Sequence, residues 1–145
     1  MRNKFRKSKP RQDKEIVAFT TNAMIEAYAR NRAMASLKAA RLTSPGSAKA
    51  RLNLFRLTGA IETHPDTAAF FKIKDELIKA HEAEQNKLPA CERKGLLMTD
   101  PGIVELLEQK TSLHVEKIDF PVSCLPEDIS VIDMHSLSWL INFTK

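Results

Sequence analysis

The stretch from Glu15 to about Leu42 constrains the fold most, because it contains neither proline nor glycine and is rich in alanine. Such a composition predicts one long α-helix of about 42 Å at 1.5 Å per residue. Its larger apolar residues form two adjacent stripes, which would give a face broad enough to pack on more than one neighbour. One stripe contains Ile16, Phe19, Ala23, Ala27, Met34 and Leu37, and the other contains Val17, Met24, Tyr28, Ala35 and Leu42.

Turn and capping residues divide the next part of the chain into three more predicted helices. Residues 43–47, Thr-Ser-Pro-Gly-Ser, end the first helix, and a second should follow over 48–62, with Ala50, Leu54, Leu57 and Ile61 on one face. Pro65 favours the first turn of a third helix, which should extend to about Lys87. Thr99-Asp100-Pro101 should begin a short fourth helix that ends near Lys110.

The C-terminal segment has a different pattern. Residues 113–120 and 129–132 are rich in β-branched side chains and predict short strands. Residues 137–144 alternate with a period of two, which favours a third strand, although a short helix there stays open. The predicted fold is therefore mainly α, with four helices, the first long, and a small C-terminal α+β element of two or three short strands. It forms one globular domain over 15–145, helical over 15–112 with the α+β tail over 113–145, after a basic disordered arm over 1–14.

The charge of the chain is distributed very unevenly. Residues 1–56 contain 14 Lys and Arg against 3 Asp and Glu, a balance of +11, whereas residues 57–145 contain 9 against 15, a balance of −6. A basic part joined to an acidic part indicates that one surface meets a polyanion. We expect a non-catalytic accessory or regulatory protein that binds nucleic acid, with double-stranded DNA favoured over RNA because the single Tyr and single Trp give no stacking platform.

The predicted phosphate contacts are the cations of the arm and of the first two helices. Phosphate binding requires only that exposed cations lie near one another. The candidates are Arg2, Lys4, Arg6, Lys7, Lys9, Arg11, Lys14, Arg30, Arg32, Lys38, Arg41, Lys49, Arg51 and Arg56.

The wide apolar face of the predicted first helix suggests a second class of function. A helix that long extends beyond the core of a compact domain of this length, so we expect a homodimer whose interface contains Met24, Tyr28, Met34 and Leu37. The alternative function is accordingly a helical adaptor, inhibitor or assembly protein that has a protein partner and no nucleic-acid partner.

Patterns that would indicate catalysis or a cofactor are weak. His81-Glu82 begins like a zinc-protease helix, but Gln85 stands where the second histidine ligand belongs. Pro65-Asp66 and Glu92-Arg93-Lys94 match a nuclease pattern only in spacing. We therefore expect no enzyme, no metal and no cofactor. Two cysteines, no apolar run longer than four residues and no apolar leader predict a cytoplasmic protein that does not enter a membrane.

Overall fold

The structure is a computed structural model that describes residues 15–40, 42 and 46–145. The predicted basic arm over 1–14 lies outside these residues. The described elements are β1 (Ile16–Thr21), α1 (Asn22–Arg30), α2 (Arg32–Ala39), α3 (Ser47–Glu62), α4 (Pro65–Gln85), α5 (Pro101–Glu108), β2 (Lys110–Glu116), β3 (Ile118–Pro121), α6 (Val131–Leu137) and β4 (Ile141–Thr144). Two short 3-10 helices, Ala90–Glu92 and Val122–Cys124, interrupt the loops.

The prediction of four helices is wrong, because the described residues contain six α-helices and four strands in two small sheets. The coarser expectation, a mainly helical protein with a C-terminal strand element, is confirmed. The predicted second, third and fourth helices correspond to α3, α4 and α5. Proline stands at the start of α4 and of α5, where the missing N–H costs nothing, and the His64 and Asp100 side chains cap the two helices.

The long first helix does not form. Residues 16–21 are instead β1, which pairs antiparallel with β2, with Val17 opposite Val115 and Phe19 opposite Leu113. The segment IVAFTT is rich in β-branched and aromatic residues, which fit a pleated sheet better than a helix. The rest divides at Asn31, whose extended backbone ends α1 and whose side chain accepts a hydrogen bond from the Met34 N–H at the start of α2.

The C-terminal segment also departs from its prediction. β3 and β4 pair in parallel, with Ile118 opposite Ile141 and Phe120 opposite Phe143, and α6 lies between them in sequence. The strand predicted over 129–132 is wrong because Ser130 and Asp133 form a capping box that begins α6 at Val131. Within 137–144 only the last four residues are a strand.

The core lies between the helices and the two sheets. Its largest fully buried side chains come from all four strands, from the helices and from the turn before β4: Phe19, Ile25, Met34, Leu37, Ile61, Phe70, Leu113, Phe120, Leu137, Leu140 and Ile141. β1 and β2 bury Phe19, Leu113 and Val115 on one face. Helix α3 packs against β2 and β3, so its position is fixed by the same core.

Candidate nucleic-acid interface

The structure describes only part of the predicted cation set. The seven basic residues of the arm and Arg41 lie outside the described residues. The remaining six are Arg30, Arg32, Lys38, Lys49, Arg51 and Arg56, all on exposed positions of α1, α2 and α3. They divide into two groups, those engaged by carboxylates and those without such a partner.

Arg30 belongs to the engaged group. Its Nε lies 3.2 Å from Oε2 of Glu26 one turn earlier, and Glu26 Oε1 accepts a hydrogen bond of 2.6 Å from Lys74 Nζ on α4. The Glu26 side chain is only 3% exposed, whereas Arg30 is 66% exposed. Glu26 therefore joins α1 to α4 as a buried carboxylate, and Arg30 contributes to its charge balance.

Lys38 is engaged as well, in a cluster at the end of α3. Its Nζ and the Tyr28 hydroxyl both donate to Glu62 Oε2, the latter over 2.5 Å. Burial alone would raise the pKa of Glu62, but the hydrogen bonds from Lys38 and Tyr28 outweigh it and lower that pKa. Burial, together with the neighbouring Glu62 carboxylate, raises the pKa of Tyr28. Lys38 thus pairs with a carboxylate of the protein itself.

The remaining cations of helix α3 are exposed and without such partners. Among the described residues, the side chains of Lys49, Arg51 and Arg56 form no ion pair or hydrogen bond, and no acidic residue occurs between Ser47 and Ile61. Arg32 is also exposed and unpaired there, but it begins α2, which packs against α6, and no described contact joins it to the cations of α3.

The start of α3 fixes which side of the helix faces water. Gly46 precedes the helix with a φ of 83°, a left-handed backbone conformation that residues other than glycine rarely adopt. The Ser47 hydroxyl then donates a hydrogen bond to the Leu42 carbonyl. Ala50, Leu54, Leu57 and Ile61 then point into the core, as the sequence predicted.

The opposite surface of α3, here called the α3 outer face, consists of Lys49, Arg51, Leu52, Phe55 and Arg56. With 3.6 residues per turn, Leu52 and Phe55 lie one turn apart on it. Lys49 and Arg56 flank this apolar pair on one side, and Arg51 flanks it on the other. Leu52 is 48% exposed and Phe55 76% exposed. Sequence reasoning missed this pair, although both residues stand outside the predicted core stripe of the helix.

The point where the arm joins the domain lies close to α3. The carbonyl of Glu15, the first described residue, accepts a hydrogen bond of 2.8 Å from the Lys117 N–H. Two residues further along the chain, the Asp119 carbonyl accepts a hydrogen bond of 3.4 Å from Asn53 Nδ2 of α3. Two hydrogen bonds and two residues therefore separate the origin of the arm from the middle of α3.

The residues predicted to form a dimer interface are mostly in the core. Tyr28, Met34 and Leu37 are buried, and Met24 is partly buried against the same core. These side chains are therefore covered by the protein itself. Tyr28 and Met34 also border a groove of about 350 Å³ between α1, α2 and α4, where the buried Thr67 hydroxyl has no hydrogen-bond partner among the described residues.

The structure places the two carboxylates of the nuclease-like pattern, Asp66 and Glu92, in different elements. Asp66 accepts hydrogen bonds from the N–H and hydroxyl of Ser112, and these bonds, the backbone one first, lower its pKa. Asp66 therefore fastens the start of α4 to β2, while Glu92 lies in a 3-10 helix of a loop. Within the described ranges, no three residues among His, Cys, Asp and Glu lie together in a way that would hold a metal ion.

Comparison with known proteins adds no relative: no protein-family model matches the chain, and neither the curated proteins nor the solved structures give a significant match. Of the helices in the described part of the chain, none has both the length and the apolar character needed to cross a bilayer.

Proposed function

We propose that this protein binds nucleic acid through the phosphate backbone, using the α3 outer face and the basic arm, and that it acts in the cytoplasm as a non-catalytic accessory or regulatory protein. One observation carries the proposal. Lys49, Arg51 and Arg56 are exposed within two turns of one helix, with no carboxylate partner among the described residues. When clustered side-chain cations of this kind bind a polyanion, they take the place of its condensed counterions, and the counterions are released into solution.

The arm extends this basic surface. It contributes seven Lys and Arg against one Asp, and it leaves the domain beside β3, against which α3 packs. A basic segment next to a docked helix adds contacts to a second stretch of the nucleic-acid backbone. Arg30 and Lys38 drop out of the proposed contact surface, because Glu26 and Glu62 already engage them.

The proposed contact is to backbone rather than to bases. The outer face of α3 presents two arginines and one lysine, and the only amide side chain of the helix, Asn53, donates to the Asp119 carbonyl within the protein. Phosphate contacts carry no sequence information of their own. Affinities for unrelated duplexes should therefore differ by less than about tenfold, or roughly 1.4 kcal/mol.

Salt dependence of duplex binding tests the proposal. Fluorescence anisotropy with short random-sequence DNA duplexes measures the Kd at several salt concentrations for the wild type and for Lys49→Gln/Arg51→Gln/Arg56→Gln. Losing three phosphate contacts should lower the slope of log K against log salt by up to about 2.7 and weaken all duplexes alike.

A matched control uses three exposed lysines of α4, Lys72→Gln/Lys79→Gln/Lys87→Gln, which change the net charge equally. Two of them pair with carboxylates, Lys79 with Asp75 and Lys87 with Glu84, so the slope should hardly change. Equal slopes for the α3 variant and the wild type would refute the assigned surface. A duplex preferred by a thousandfold would refute the backbone mode.

The exposed Leu52 and Phe55 favour a second candidate function, a helical adaptor with a protein partner. A pull-down from lysate with and without nuclease treatment separates the two. Partners that disappear after nuclease treatment support the nucleic-acid function, and partners that remain support the adaptor.

A further inference from the structure

The start of α6 exposes an apolar pair with acidic residues just before it in the chain. Val131 and Ile132 are 79% and 81% exposed, the highest values among the large apolar side chains described. The exposed carboxylates of Glu127 and Asp128 precede them by a few residues. We call Glu127, Asp128, Val131 and Ile132 the acidic corner. No Lys or Arg occurs between Lys117 and Lys145, so no basic residue stands near the acidic corner in the sequence.

The protomer itself gives no reason for apolar residues at the acidic corner. The Ser130–Asp133 capping box begins α6 without help from Val131 or Ile132, and Leu137 anchors the helix in the core. β-branched side chains are also poorer helix formers than the unbranched polar residues that usually occupy exposed positions. Two adjacent exposed apolar side chains therefore indicate a contact outside the protomer.

The two surfaces match each other and not themselves. Each presents two apolar side chains side by side, one flanked by three cations and the other by two carboxylates. Two α3 outer faces would place cations against cations, and two acidic corners would place carboxylates against carboxylates, which is destabilising. Pairing one of each buries both apolar pairs and joins opposite charges.

We propose that the acidic corner of one copy of this protein docks onto the α3 outer face of a second copy. The contact is heterologous, because different residues contribute on its two sides, and it forms either a closed assembly or an open chain of protomers. It uses none of Met24, Tyr28, Met34 and Leu37, and it does not require nucleic acid. Its success or failure is therefore separate from that of the proposed function.

Two blocked variants test the contact. Leu52→Asp/Phe55→Asp removes the α3 side and leaves the acidic corner intact, whereas Val131→Asp/Ile132→Asp removes the corner and leaves α3 intact. Light scattering coupled to size exclusion follows nuclease-treated full-length protein up to roughly 100 μM, which detects a contact with a Kd of that order. The wild type should self-associate, and each variant alone should do so at least about 30-fold more weakly, as for loss of a central apolar anchor.

Mixing the two blocked variants tests directly whether the acidic corner binds the α3 outer face. Each mixed pair retains one intact contact, so an equimolar mixture should form a 1:1 complex and nothing larger. Arg51→Glu/Arg56→Glu alone, or Glu127→Lys/Asp128→Lys alone, should abolish self-association because each places like charges opposite one another. The combination of all four substitutions in one chain should restore it. Because all of these side chains are exposed, the variants should keep the circular dichroism spectrum and melting temperature of the wild type.

Leu97→Asp is the matched control, because Leu97 is a similarly exposed apolar side chain in the loop before α5 and outside both surfaces. It should self-associate like the wild type. A wild type that is monomeric throughout the concentration range would overturn the proposal. So would blocked variants that still self-associate, or that fail to form a complex when mixed. Self-association that disappears on nuclease treatment would also overturn it and would show bridging by nucleic acid instead.

Discussion

Removing Lys74 tests whether the buried Glu26 carboxylate holds α1 against α4. The substitution Lys74→Met keeps the length of the side chain and removes its charge. Glu26 then keeps only Arg30, at 3.2 Å, while its other oxygen loses the 2.6 Å contact. The substitution also removes a cation that lies 5.9 Å from the centre of the Phe70 ring.

The magnitude follows from the burial of Glu26. Breaking a buried ion pair from one side costs about 3–5 kcal/mol because a desolvated charge is left behind. Since Arg30 still neutralises one oxygen, we expect about 2–3 kcal/mol for Lys74→Met. At about 3 °C per kcal/mol for a chain of this size, the melting temperature should fall by about 6–9 °C. Arg30→Gln, at an exposed position, should cost less than about 0.5 kcal/mol.

Urea unfolding followed by circular dichroism measures these differences. Glu26→Leu/Lys74→Met supplies the control, because replacing both charges by apolar groups removes the desolvation penalty and should leave the stability within about 1 kcal/mol of the wild type. If Lys74→Met proves as mild as Arg30→Gln, Glu26 is solvated in the folded protein and the reasoning is refuted.

Three further predictions concern the basic arm, the dependence of stability on pH below 4.5, and competition for the α3 outer face. Deleting residues 1–14 should preserve the melting temperature but lower the affinity for duplex DNA and its salt slope; an unchanged salt slope would exclude the arm from binding. Glu62→Gln should destabilise the protein at pH 7, and this loss should shrink as the pH falls below 4.5, as urea midpoints would show. A carboxyl group with a lowered folded-state pKa stabilises above its ordinary value of 4.5 and loses that contribution as the pH falls through the folded pKa. If both proposals hold, duplex DNA at low salt should dissociate the self-assembled protein, because DNA and the acidic corner of a second copy compete for the α3 outer face. Light scattering measures this dissociation. An unchanged assembly in the presence of bound DNA would show that the two do not share a surface.

Local signals were sufficient to predict α3, α4 and α5. The spacing of Leu54, Leu57 and Ile61 defines a buried helical face, and proline at the start of α4 and of α5 marks their first turns. β1 was not predictable in the same way, because IVAFTT runs without a turn signal into an alanine-rich segment. Its assignment depends on β2, a partner about ninety residues away.

The candidate site also contains some residues that the sequence could identify and others that only the tertiary structure reveals. Lys49, Arg51 and Arg56 could be selected from sequence because the whole of α3 contains no acid before Glu62. Glu26 stands one helical turn before Arg30, a spacing visible in the sequence, but its burial and its contact with Lys74 on α4 are not. Glu62 meets Lys38 only through tertiary packing. Leu52 and Phe55 were visible in the sequence, but their exposure becomes evident only once the buried side of α3 is fixed.

The pairing of β1 with β2 has a consequence for synthesis of the chain on the ribosome. β1 leaves the ribosome first, but β2 follows about ninety residues later, roughly 5–20 s at usual elongation rates. During that interval an apolar strand with Ile16, Val17 and Phe19 has both edges unpaired, a condition that favours aggregation. The seven cations of residues 1–14 immediately precede it. Charges beside an apolar strand repel neighbouring nascent chains, so we expect deletion of residues 1–14 to increase aggregation during synthesis.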